Sequence, residues 1–340
     1  MNRKLFTILA LLCLTVGGAW AQTTYKVTVN DGNVDTNNWE VIPAEAKTTG
    51  VESGTTVTLK YNGKKKVKSV RAVGRGNTPD EPPSTGIING KFSVSSTKQV
   101  YFAEGNLQAT YNGSAWSWTF AKHQWEYIGN AVANTSISDN GTISGTGTVD
   151  LFGWVGEHSG FTNAAKYGIS KSTKANQYGN TSSEALKSDW GTLIGTGWRT
   201  LTGVEWDYLL NTRTTTSGLR YAKATVNGVA GLILLPDDWS TSYYSLNTNN
   251  VITSITSSDW TNSLEAHGAV FLPAAGYRNG SEVNEVGSHS QGAYWSATSS
   301  TDPGQAYSLF FENTSNVNPS TTGYTRTRGH SVRLVLPVQQ

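Results

Sequence analysis

Apolar residues follow three different rhythms along this chain. The first is a largely apolar run from Leu5 to Val16, placed behind Asn2-Arg3-Lys4. About a dozen apolar residues after a basic start are too few to span a bilayer and suit the core of an export signal. Ala19-Trp20-Ala21 then offers a small-x-small cleavage pattern, which predicts a signal over residues 1–21 and a mature start near Gln22. Cys13 follows the large Leu12, unlike a lipoprotein signal, which wants a small residue before its cysteine. The second rhythm is alternation. It predicts strands at Tyr25–Val29, Thr56–Tyr61 and Lys66–Arg71, with Asn62-Gly63 as the hairpin turn between the last two. Trp116-Ser117-Trp118-Thr119-Phe120 alternates large rings with small polar residues, so one face is buried. The third rhythm is a short apolar run between breakers, at Gly228–Pro236 and Ala269–Pro273, predicting buried strands. Phe92–Val94 and Val100–Phe102 are also strand-like.

Helical patterns are few. Ser183 to Trp190 predicts a short helix. Thr202-Gly203-Val204-Glu205 is a capping box, in which a threonine oxygen and a glutamate carboxylate satisfy each other's end of the first turn. It predicts a helix through Trp206, Leu209 and Leu210 toward Arg213.

These elements fall into two parts. Residues 22–75 predict a small β-domain with nine Lys/Arg and five Asp/Glu. Lys64-Lys65-Lys66 there reads either as an electrostatic patch or as a lysine-protected hairpin edge, the latter being favoured. The domain loosely resembles N-terminal β modules of secreted Bacteroidales proteins. Residues 76–90 form a proline-bearing linker, semi-extended by Pro79, Pro82 and Pro83. Residues 91–338 hold ten of the twelve tryptophans and long Gly/Asn/Ser/Thr-rich connections, a proportion of irregular chain that usually serves function.

Composition narrows the function classes. Charged residues make up 15% of the chain, against roughly 25% in an average soluble protein. Without Arg3 and Lys4 the 26 basic residues become 24, equal to the 24 acidic ones, which argues against a nucleic-acid partner. Cys13 is the sole cysteine and leaves with the signal, so the mature chain has no thiol nucleophile, thiolate ligand or disulfide.

Four segments in order carry a resemblance. Gly197-Trp198-Arg199-Thr200-Leu201-Thr202-Gly203-Val204-Glu205-Trp206-Asp207-Tyr208-Leu209, Leu272–Arg278, Tyr294-Trp295-Ser296 and Gly329–Val335 resemble the formylglycine-generating-enzyme-like branch of the C-type lectin fold. The resemblance implies an α+β, C-type-lectin-like domain over residues 91–338, preceded by the small all-β domain. Tyr294 to Val335 also resembles the variable tails of proteins diversified by retroelements in Bacteroidales. Asn316-Val317-Asn318-Pro319 and the ending Ser331-Val332-Arg333 match that pattern, whereas Ser320–Thr325 stands where an Asn-rich run would be. A fixed paralogue would look the same.

The resemblance and the strand pattern together place a recognition surface between Asn279 and His330. In Tyr307–Glu312, residues Tyr307, Leu309 and Phe311 share a core face and Ser308, Phe310 and Glu312 the solvent face. The loop from Ser320 to Arg328 offers Tyr, Thr, Ser, Gly and Arg, the residue types of antibody loops. The expected ligand-binding set is Asn279, Ser281, Glu282, His289, Tyr294, Ser299, Thr301, Asp302, Gln305, Ser308, Phe310, Glu312, Ser320, Thr321, Thr322, Tyr324, Thr325, Thr327, Arg328 and His330. The expected ligand is a protein or glycan at the cell exterior, and no membrane span is expected after signal cleavage.

Catalysis is not expected. Formylglycine-generating enzymes use cysteine, and the mature chain has none. His123, His158, His267, His289 and His330 show no metal-ligand spacing, and His289 and His330 read as surface-loop residues. Glu282 and Glu285 read as solvated. Asp237-Asp238 reads as turn or cap residues, with a structural cation as the weaker alternative. Nucleophile-elbow, phosphate-loop and alternating-Asp calcium motifs are missing, so no cofactor or metal is expected. Calcium-dependent lectin signatures are missing as well, which leaves a calcium-independent glycan-binding lectin as the runner-up.

Overall fold

The computed structural model describes residues 5–9, 24–25, 39–42, 51–52, 56–61, 86–246, 253–286, 291–312 and 319–338. The chain divides into two units, Met1–Glu81 with the last two residues, and Pro82–Val338. In the first unit, β1 (Leu5–Leu9), β2 (Thr24–Tyr25), β3 (Trp39–Ile42), β4 (Val51–Glu52) and β5 (Thr56–Tyr61) are described. β5 is central, flanked antiparallel by β1 and β3, and β2 pairs with β4. Leu5–Leu9, inside the segment expected to be an export signal, thus lies beside β5. The expected strand at Lys66–Arg71, the Asn62-Gly63 turn, the lysine run and most of the linker lie outside the described residues, as does Tyr25–Val29 beyond Tyr25.

The second unit contains fifteen described strands. They are β6 (Phe92–Ser93), β7 (Gln99–Phe102), β8 (Leu107–Tyr111), β9 (Trp116–Phe120), β10 (Gly147–Val149), β11 (Tyr221–Val226), β12 (Val229–Leu234), β13 (Thr253–Ile255), β14 (Val270–Pro273), β15 (Tyr277–Asn279), β16 (Glu282–Asn284), β17 (Gln291–Ser299), β18 (Gln305–Glu312), β19 (Ser320–Thr325) and β20 (Val335–Pro337). They form small sheets ordered β10-β8-β9, β13-β11-β12-β14, β15-β16, β17-β18-β19 and β20-β7-β6. β20 closes onto β7, so the end of the unit returns to its beginning.

This overturns the expected C-type-lectin-like architecture, while an α+β class is loosely compatible with it. The chain is mostly strands divided among several small sheets, and only 16% of its residues are helical. Glycine and short polar residues cap and interrupt helices rather than extend them, and the described helical elements are three to five residues each, the longest continuous run being the eleven residues 257–267. The helix expected over Ser183 to Trp190 does not form. Ser183 has φ +54°, Ala185 and Leu186 bridge to Thr298 and Gly156, and a 3-10 turn begins only at Trp190. Among the described residues no helix is long and apolar enough to cross a membrane.

Other local expectations match. The Thr202–Glu205 capping box is complete and opens the helical run Gly203–Thr212, with Arg199 forming a bidentate pair to Glu205 at 2.7 Å for each contact. Both apolar runs are strands, β12 and β14, paired antiparallel. β9 alternates half-buried rings with exposed Ser117 and Thr119. Asp237 does turn and bridging work. Its Oδ1 accepts from Arg213, and its Oδ2 accepts from the Ser93 amide, the Ser93 hydroxyl and Gln99.

The core is aromatic and aliphatic. Trp154, Trp190, Trp206, Trp239, Trp260 and Trp295 are fully buried, and the other four tryptophans of this unit are half-buried. Several arginines are also interior. Arg333 donates to Asn106 Oδ1 (3.0 Å), Ala103 O (3.0 Å) and Phe271 O (2.8 Å). These acceptors lie on other segments, so the guanidinium ties them to the chain's last turn.

Candidate functional site

The β17-β18-β19 sheet has two unlike faces, and its register determines which residues share each. Tyr294 opposes Leu309, which opposes Thr321, and Gly292 opposes Phe311. Tyr294, Leu309 and Phe311 are buried in the largest apolar cluster. Gly292 has no side chain because the Phe311 ring lies over it, where any Cβ would overlap. The Tyr294 hydroxyl donates to Pro273 O (2.8 Å) and accepts from Asn106 (3.1 Å), and burial pushes its phenol well above the usual range.

On the opposite face, cross-strand rows are Ala293–Phe310–Ser320, Trp295–Ser308–Thr322 and Ala306–Tyr324. The small residues of the middle and last rows leave room for rings. His330 enters from the terminal segment, where it bridges to Phe152. Its imidazole stacks on Trp295 at 4.1 Å and 22°, and its Nδ1 lies 3.0 Å from Ser308 Oγ. Tyr324 meets the same imidazole edge-on at 5.1 Å, and Phe310 leans against Tyr324 at 5.6 Å.

Arg328 completes this cluster. Its guanidinium carbon lies 4.5 Å from the centre of the Tyr277 ring and 5.2 Å from that of Tyr324, and it makes no ion pair among the described residues. Tyr277, Phe310, Tyr324 and Arg328 are all half-buried. Aromatic faces attract the cation but provide no acceptor for its N–H groups. Burial, and then the nearby Arg328 charge, hold the His330 imidazole well below its usual pKa, so it is neutral at neutral pH; its Nε2 has no hydrogen-bond partner. Burial raises the Tyr324 phenol, an effect Arg328 partly offsets.

The expected binding residues separate into groups. Phe310, Thr322, Tyr324 and Arg328 come together as half-buried neighbours on one face, with exposed Ser320 at its edge and Glu312 at its far end, where Glu312 accepts from Gln291 (3.2 Å). Asn279, Ser281 and Glu282 are exposed on the β15–β16 hairpin, which reaches the cluster through the Arg278–Gly329 bridge. Thr301 and Asp302 are exposed in the β17–β18 turn, and Gln305 and Thr325 pair beside it. Thr321 is half-buried on the other face.

Five expected contacts are corrected. Tyr294, Ser308 and His330 have no exposed surface, and Ser299 and Thr327 are buried, so these side chains support the face from within. For Thr327 and His330 the reason is that residues 326–330 lie against Phe152 and Trp154, whose amides donate to His330 O and Arg326 O, while Tyr294 belongs to the apolar core. His330, expected in a surface loop, is therefore interior. His289 and Asn316–Asn318 lie outside the described residues. Tyr277 and Trp295 were not expected at the site. Tyr277 had one available signal, its position two residues before Asn279 on a predicted rim.

Arg326, two residues before Arg328, is quite different. It is fully buried, paired with buried Glu184, and donates to Gly179 O (2.6 Å), Thr181 O (2.9 Å) and Gln305 O (3.1 Å) while lying 4.6 Å over Trp154. Burial alone would raise the Glu184 carboxyl. The His158 amide, Arg326 and Thr181 more than offset this and hold it below its usual value. Among the described residues no three His, Cys, Asp or Glu side chains are grouped to hold a metal.

A family described as a domain of unknown function (DUF8237) matches residues 241–335. That span includes the whole of the Tyr277–Phe310–Tyr324–Arg328 cluster and the buried Trp295 and His330 beneath it. No curated protein and no solved structure matches the chain.

Proposed function

We propose that this chain is an exported, non-catalytic, adhesin-like binding protein whose recognition surface is the β18–β19 face around Arg328. One observation carries the reading: a half-buried guanidinium held by two tyrosine rings with no carboxylate partner among the described residues. A cation partly withdrawn from water and left without an acid is poised for a ligand. The neighbouring Phe310 and Tyr324 rings supply area, and Ser320, Thr322 and Thr325 supply adaptable hydroxyls. Export rests on the apolar run behind Arg3-Lys4 and the Ala19-Trp20-Ala21 pattern.

The resemblance to retroelement-diversified tails belongs to the same proposal. β19 is an edge strand of its sheet, so side chains along it can change without breaking a second ladder. A near-copy of the DNA for residues 294–335, differing at adenines and lying beside a reverse-transcriptase gene, would support diversification; its absence favours a fixed paralogue.

The surface itself is tested with Phe310→Ala and Tyr324→Ala. Surface-displayed wild-type protein is screened against glycan and cell-surface protein arrays, and the variants are compared on whatever binds. Loss of binding with the melting temperature little changed is the expected result. Unchanged binding in both variants would put the surface elsewhere.

A further inference from the structure

Resting on that reading, we infer that the ligand carries a carboxylated sugar, and that Arg328 is the residue that receives the carboxylate. The guanidinium is planar, and its central carbon lies 4.5 Å from the Tyr277 ring centre and 5.2 Å from that of Tyr324. Its N–H groups lie in its plane, and the rings offer them no oxygen or nitrogen acceptor, so a ligand can take them. A carboxylate fits that edge with two parallel hydrogen bonds, and a partly desolvated site strengthens them. Neutral His330 beneath adds no competing charge.

The surroundings favour a saccharide over an acidic peptide. Protein interfaces are anchored by exposed aromatic or aliphatic side chains that enter a partner's pockets. The exposed large hydrophobic residues among those described are Ile42, Val204 and Tyr243, and none lies on this sheet. Phe310 and Tyr324 are half-buried rings in mutual contact at 5.6 Å, and partly exposed rings of this kind can pack on the C–H face of a pyranose. Thr322 and exposed Ser320 border them with hydroxyls. An aromatic floor, a hydroxyl rim and one fork-shaped cation match a ring that has one apolar face, several hydroxyls and one carboxylate.

The test titrates the purified chain by calorimetry with trigalacturonic acid, its carboxyl-reduced neutral counterpart and a pentaglutamate peptide. Trigalacturonic acid is expected to bind, with the reduced sugar and the peptide weaker by on the order of tenfold or more, as for loss of a charge-assisted pair. Arg328→Gln should lose a similar factor for the acid only. Arg328→Lys, which keeps the charge but not the fork, should fall between. Melting temperatures of both variants are measured alongside, so that unfolding is not mistaken for lost binding. Equal binding of the acidic and reduced sugars, preference for the peptide, or no binding of the acidic sugar overturns the inference. If the reduced sugar or the peptide binds and Tyr324→Ala abolishes it, the surface reading survives without the carboxylate. If trigalacturonic acid binds and Arg328→Gln, Phe310→Ala and Tyr324→Ala all leave it unchanged, both fall.

Discussion

Arg326 and Arg328 stand on one turn, yet one belongs to the interior and the other to the surface sheet. Arg326 is surrounded by acceptors: the Glu184 carboxylate and three backbone carbonyls. Arg328 lies against two rings and has no acid partner among the described residues. A buried cation is tolerated only when its donors are satisfied, so the interior arginine is committed to the fold. The half-buried one keeps part of its hydration and leaves its donors uncommitted. The same residue type, two positions apart, thus serves cohesion in one case and recognition in the other.

The sharpest way to break this comparison is to remove the acid from the interior partner. Glu184→Ala leaves Arg326 buried without its counter-charge and should cost about 3–5 kcal/mol of unfolding free energy. Urea denaturation at neutral pH measures it. A loss no larger than that of a surface substitution would mean that water reaches Arg326 and that the two arginines are not different in kind.

Acidification separates the two regions by pH. The folded-state pKa of His330 lies below the unfolded value of 6.5, so the unfolded chain binds the proton first. Its contribution is complete above pH 6.5 and is lost as pH falls below it, by up to about 1.4 kcal/mol per pH unit. Glu184 is also depressed, from 4.5, so its contribution is present above that value and is lost only as pH falls below it. Unfolding free energies of the wild type and His330→Phe are compared between these two values. The variant should lack the decline in that window and keep the one at lower pH. An identical slope in both proteins would place the His330 ring in contact with solvent.

Much of this organisation was legible in the sequence where the signal is local. The runs that became β12 and β14 are apolar between breakers, and the Thr202–Glu205 box marks its helix within four residues. Alternation in Tyr307–Glu312 correctly assigned Leu309 and Phe311 to the core and brought Phe310 to the other face, although Tyr307 is only half-buried. What failed depends on distant partners. Arg326, on which the sequence carried no expectation of its own, is interior because Glu184, 142 positions away, folds against it. His330 and Ser308 are interior because they meet each other across 22 positions beneath Tyr324. A polar residue next to a variable-looking loop reads as surface unless its partner is known. The lectin-like architecture failed for the same reason: motifs at helix entries say nothing about how strands pair, and strand pairing divided this chain into several small sheets.

The smallest expected effect is also the most discriminating. Arg328→Ala should change stability by less than about 1 kcal/mol, the scale of a cation–π contact open to water. A small change in stability alone would also follow if Arg328 merely lay on the surface. The Tyr324 phenol separates the two cases. Burial raises its pKa, and the Arg328 charge beside it offsets part of that rise. Removing the charge should therefore move the phenol further above its usual value of 10.0, an upward shift visible by ultraviolet or NMR titration of that tyrosine. Arg328→Lys should restore part of the offset, because it returns the charge without the planar fork. If Arg328→Ala leaves the Tyr324 titration where it was, the guanidinium does not rest on that ring in solution, and the cluster that distinguishes the surface arginine from the interior one is not assembled before a ligand arrives.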